Sequence, residues 1–131
     1  MRMRNSLSLG AAALVAYALP AAAKTPPEAA KAPRECFWTD RVTNFASDDD
    51  RTVYLRVGVK EVWRLEMLGR CTDVDWSNRI AVRSRGGSHI CSGLDAEIIA
   101  PSPIGPQRCA VKTVRKLTPE EIKALPKKAR P

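Results

Sequence analysis

Histidine is nearly absent: His89 is the only imidazole in 131 residues. Mechanisms that need a histidine pair, and metal sites built mainly from imidazole, are thereby excluded. None of the four cysteines, Cys36, Cys71, Cys91 and Cys109, forms a C-x-x-C pair. The tight turn that aims two thiolates at one zinc ion is therefore missing, and so is a thioredoxin-type redox motif. No G-x-S-x-G elbow occurs, and Ser88 and His89, adjacent on a strand, would point to opposite faces rather than pair. Asp48, Asp49 and Asp50 are consecutive, whereas calcium loops alternate ligands with spacers and close on a distant acidic residue. They read as an acidic turn tip, and no cofactor or metal is expected. There is no internal repeat and no low-complexity tract.

What is present begins with an address. Residues 1–23 run from a basic start, with Arg2 and Arg4, through an apolar stretch to small residues at Ala21 and Ala23. That is the pattern of a secretory signal peptide with an Ala-x-Ala cleavage site. The uninterrupted apolar part is roughly 14 residues where a bilayer span needs about 20, and no later segment comes closer, so no transmembrane segment is expected. Residues 24–35, KTPPEAAKAPRE, hold three prolines and no large apolar side chain, and read as a flexible leader. The remainder is expected to be a single β-rich domain over 36–126 with a basic tail at 127–131.

The chain carries 22 Lys and Arg against 14 Asp and Glu. The excess is diffuse, with both signs mixed along nearly every segment. Weak attraction to anionic surfaces such as envelope lipid or glycan follows. A nucleic-acid reader would cluster its arginines among exposed aromatics, so no nucleic-acid partner is expected.

In an oxidising compartment an even number of cysteines reads as two disulfides. Four cysteines allow three pairings. The preference of consecutive strands for adjacency favours Cys36 with Cys71 and Cys91 with Cys109. The latter bridge would close a loop of about 19 residues, worth roughly 3 kcal/mol in the chain-entropy picture.

From CFWTDRVTNF onward the chain reads as short strands. Val53, Leu55 and Val57 alternate with Tyr54 and Arg56; Trp63, Leu65 and Met67 alternate with Arg64 and Glu66; Gly58 lies in the turn between. Period two on both arms predicts a hairpin with Val, Leu, Trp and Met in the core and Arg56, Arg64 and Glu66 in water. Further strands are expected at RIAVRSR, SHIC, DAEIIAP and RCAVKTVRKL. Thr118, Pro119 and Glu121 form a capping box with proline in the first helical position, and Pro126 ends the helix. The fold expected is mainly β: a small antiparallel barrel or sandwich of about six to seven short strands with a short C-terminal helix and two disulfides.

For chemistry, His89 is read as an ordinary strand residue. Asp40, Glu66, Asp73, Asp75, Asp95 and Glu97 leave a carboxylate pair open, but nothing in their spacing recommends any two. Of Trp38, Trp63 and Trp76, Trp63 shares a face with Leu65 and Met67. Burial is favoured for all three, with Trp76 the better candidate for a surface platform. The connection SPIGPQ, with Pro101, Pro103, Ile104 and Pro106, is the loop expected to meet a partner.

CFWTDRVTNF, DDRTVYLRVGVKEVWRLEM, GRC, RIAVRSRGGSHICSGLDAEII and GPQRCAVKTVRKLTPEEIKALP together resemble an uncharacterised family of small exported proteobacterial proteins, a domain of unknown function. The resemblance covers residues 36–126, and its most specific features are the four cysteines and the final RKLTPEEIKALP. It implies the periplasm or envelope of a Gram-negative bacterium and transfers no activity and no site residues. The expectation is a non-enzymatic, exported binding or structural module with an unknown envelope or protein partner. The alternatives are an inhibitor of an envelope-attacking enzyme such as lysozyme, or a small carboxylate-dependent hydrolase.

Overall fold

The computed structural model describes residues 34–131. The expected signal peptide at 1–23 and nearly all of the leader lie outside the described residues. Among the described residues there are eight strands: β1 (Phe37–Trp38), β2 (Val42–Ala46), β3 (Thr52–Val57), β4 (Glu61–Met67), β5 (Ala81–Ser84), β6 (His89–Ile90), β7 (Ala96–Ala100) and β8 (Gln107–Lys116). One α-helix, α1 (Pro119–Ala124), follows β8. Six strands form one antiparallel sheet in the order β2-β3-β4-β8-β7-β5, curled into a half-barrel, and β1 and β6 form a separate two-stranded ribbon.

The hairpin forms as the alternation predicts. Leu55 pairs with Trp63 and Val57 with Glu61 across a turn whose Gly58 has φ 61°, a left-handed conformation open to glycine at no steric cost. Val53, Leu55 and Val57, with Trp63, Leu65 and Met67, face a core completed by Phe37, Ile90, Ile98 and Val111.

The opposite face of the hairpin is not simply in water. Tyr54 and Val62 are buried in a second cluster with Leu117 and Ala129, against which Ile122 of α1 and Leu125 pack. Residues 127–131, read from composition as a basic tail, lie on this face. Ala129 is wholly buried, and Arg56 Nε donates to the Pro131 carbonyl at 3.0 Å. Burial pushes the Tyr54 hydroxyl above its ordinary pKa, with Arg64 nearby acting the other way. The capping box at α1 forms as expected: Thr118 Oγ1 accepts from the Glu121 amide and the Glu121 carboxylate accepts from the Thr118 amide. That backbone bond, followed by the bond from Arg115, holds the Glu121 carboxyl below its ordinary pKa.

β8 carries a bulge. Glu66 pairs with Thr113 and Met67 with Val111, leaving Lys112 out of register. Gly93, in the 3-10 turn Gly93–Asp95, packs on this bulge so closely that a Cβ there would lie 2.0 Å from the Lys112 carbonyl oxygen. Only glycine fits that approach.

The disulfides correct the expected pairing. The bonds are Cys36–Cys91 and Cys71–Cys109, not Cys36–Cys71 and Cys91–Cys109. Adjacency of consecutive strands fails here because β1 pairs with β6, not with its neighbour in sequence: Phe37 lies opposite Ile90, so Cys36 comes opposite Cys91. Cys71 is brought to Cys109 by the β4–β8 ladder, with the Leu68 amide bonded to the Ala110 carbonyl just past its end. Both bridges therefore follow non-sequential ladders, one in the β1–β6 ribbon and one in the six-stranded sheet.

Candidate functional site: the Cys71–Cys109 loop surface

Two connections meet at one end of the half-barrel: residues 68–80 after β4 and residues 101–106 between β7 and β8. Cys71 and Cys109, both buried, join the roots of the two. The Gln107 side chain adds a second tie by donating to the Thr72 carbonyl. The 101–106 loop is braced internally, since the Ser102 and Gly105 amides each donate to the other's carbonyl at 3.1 Å and Ser102 Oγ donates to the same Gly105 oxygen. Gly105 takes φ 117°, out of reach of most side chains. The three prolines remove backbone donors and the freedom that would let the loop collapse.

The loop expected to meet a partner is displayed outward. Pro101, Pro103 and Pro106 are exposed, and Ile104 at the tip is 99% exposed. Trp76 shares a surface site with Pro101, Ser102 and Pro103 of this loop and is 80% exposed. Trp63, in contrast, is 2% exposed, while Trp38 is 55% exposed and lies 5.5 Å from the His89 ring. Burial of all three tryptophans is thus corrected: only Trp63 is core. Trp63 sits on a strand whose period places it inward, whereas Trp76 lies in a turn, where no period directs it. The Lys128 ammonium lies 4.8 Å from the Trp76 ring centroid and 3.3 Å from the Asp75 carboxylate, so a residue of the C-terminal segment holds the indole in place.

Four of the candidate carboxylates have partners of their own. Asp95 accepts from the Ser92 amide and hydroxyl, Glu97 pairs with Arg108 at 3.3 Å, Glu66 pairs with Arg64 at 3.0 Å and accepts from Thr113, and Asp75 meets Lys128. Asp49 accepts from the amides of Arg51 and Thr52, closing the acidic turn. Among the described residues, no three His, Cys, Asp or Glu side chains gather as metal ligands, and no helix is long and apolar enough to cross a membrane. His89 lies on β6, its carbonyl accepting from Ser84 Oγ.

The architecture is that of a small disulfide-braced antiparallel β module whose exposed aromatic and proline-rich loops are anchored at a buried crosslink. The chain matches, over residues 3–131, the family described as Family of unknown function (DUF6491), and it belongs to that family. No curated protein and no solved structure matches it.

Proposed function

We propose that the protein is an exported, non-enzymatic module of the Gram-negative periplasm that binds an envelope component through the surface formed by Trp76 and the 101–106 loop. The observation that carries this reading is the pairing of two large exposed apolar side chains, Trp76 and Ile104, with a buried disulfide at their base. Rigid display of apolar side chains lowers the ordering cost of binding, which is the usual reason to place a crosslink next to a loop. Two disulfides suit an oxidising compartment, and residues 1–23 carry the export signal.

Export is tested by fusing residues 1–35 to alkaline phosphatase, which is active only outside the cytoplasm; an inactive fusion refutes it. Binding is tested by comparing envelope material retained on the mature chain with that retained on Trp76→Ala combined with Ile104→Asp. The wild type should retain a component that the variant loses, and equal recovery refutes the surface. The protruding, internally braced Ile104 tip also supports the second reading, an inhibitor inserting that loop into an envelope-attacking enzyme. Slowed cell-wall hydrolysis by lysozyme, abolished by Ile104→Asp, is the expected signature.

A further inference from the structure

We infer that the cleft between Trp76 and the 101–103 segment is a saccharide subsite that takes an acetamido sugar. This rests on the reading of the same surface given above and names the chemistry of what it binds.

The cleft is shallow and wide open to solvent, with a volume of about 290 Å³, and is lined by Asp73, Trp76, Ser77, Asn78, Pro101, Ser102 and Pro103. Around the indole the lining combines two proline rings with a carboxylate, a carboxamide and a hydroxyl. That mixture matches a sugar ring, whose C–H face stacks on an aromatic plate while its hydroxyls need both acceptors and donors at the edge.

Those groups are available. Among the described residues, the Asp73 carboxylate and the Asn78 carboxamide make no hydrogen bond or ion pair. Ser102 Oγ donates its proton to the Gly105 carbonyl, which leaves its lone pairs to accept from a ligand hydroxyl. Lys128, whose ammonium lies over the Trp76 ring, is not among the residues lining this cleft, and the indole as a whole is 80% exposed, which leaves ring surface for a ligand. Asp73 is the one non-glycine residue with positive φ, 61°, among the described residues, and its carbonyl accepts from Ser77 Oγ at 2.8 Å and from the Trp76 amide at 3.2 Å. The turn thus holds the Asp73 backbone in an uncommon conformation within the segment that carries Trp76. The two proline rings add an apolar wall that plain hydroxylated sugars would not use and that the methyl of an N-acetyl group would.

The test uses the folded, oxidised mature chain and two probes, tri-N-acetylchitotriose and maltotriose, followed at the tryptophan indole N–H resonances. Chitotriose should shift the Trp76 resonance at millimolar concentration, with maltotriose at least about fivefold weaker, a difference of about 1 kcal/mol. Trp76→Ala should abolish the binding heat measured by calorimetry. Asp73→Gly, which keeps the positive φ accessible while removing the carboxylate, and Asn78→Ala should each weaken chitotriose at least about fivefold while the amide spectrum stays native. Absence of any shift with chitotriose, or binding that survives Trp76→Ala, overturns the subsite; equal binding of maltotriose overturns the acetamido assignment. Trp76-dependent retention of an envelope protein with no response to either sugar would sink this inference alone, whereas loss of both would sink the broader reading with it.

Discussion

The two disulfides sit at different depths and hold different kinds of structure. Cys71–Cys109 is buried where β4 ends and β8 begins, and it clamps the roots of two loops that carry exposed side chains. Cys36–Cys91 closes the two-pair ribbon of β1 and β6, with Cys36 exposed to solvent. The sequence separations, 38 and 55, imply similar loop-closure contributions of roughly 4 kcal/mol each. The difference lies in the folded state. One bridge is part of the packed core, and the other fastens a flap whose own ladder is too short to stand alone.

That contrast can be broken in several ways. The largest effect is expected from Cys71→Ala with Cys109→Ala: a loss of about 5 kcal/mol in urea unfolding, from the lost loop closure together with the void left in the core. The Trp76 resonance should also broaden or move; an unchanged midpoint would show that the clamp is ornamental. Next comes Gly93→Ala, where the new methyl would meet the backbone of the β8 bulge. A loss of about 3 kcal/mol is expected by thermal unfolding, since backbone, unlike a flexible side chain, cannot swing aside. Cys36→Ala with Cys91→Ala should cost less, about 2 kcal/mol, because so short a ribbon keeps some freedom even when crosslinked. Under graded dithiothreitol the exposed Cys36–Cys91 bond should open first, with mass spectrometry after alkylation reading the order. Simultaneous opening would erase the distinction drawn between the two ends.

The smallest effect is expected from the ion pair that joins the start of β4 to the end of β8. Lys116 Nζ lies 2.9 Å from Glu61. The hydrogen bond from Lys116 holds the Glu61 carboxyl below its ordinary pKa, and the same bond raises Lys116 above its own. Glu61's contribution is present above its unfolded pKa and fades as pH falls through the lower folded one. Lys116's is present below its unfolded pKa and fades as pH rises through the higher folded one. The pair therefore contributes across the plateau between them. Both side chains are partly exposed, so Glu61→Gln should cost only about 0.5 kcal/mol at neutral pH and less on the acid limb. A constant difference down to acidic pH would contradict that assignment.

Much of the fold is legible in the residues themselves. Val53, Leu55, Val57, Trp63, Leu65 and Met67 declare a hairpin and its inner face because a strand turns successive side chains to opposite sides. Thr118, Pro119 and Glu121 declare the helix because capping is chemistry between neighbours in the chain. Prolines mark the loop at 101–106 for the same local reason. Trp76 is harder to place, since a turn has no period to say which way a side chain faces. Tyr54 alternates as a solvent-facing residue would, and nothing nearby in sequence indicates that Leu117 and Ala129 return to cover it.

The amino-acid order alone determined what depends on near neighbours: the alternation of the strands, the cap of α1 and the stiffness of the proline loop. Tertiary structure alone decided which cysteine meets which, that Gly93 must lie against Lys112, and that Trp76, Asp73 and Pro101 share one cleft. Each of those depends on the order of strands in the sheet, and contacts between segments dozens of residues apart follow from how competing pairings balance over the whole domain rather than from any local pattern.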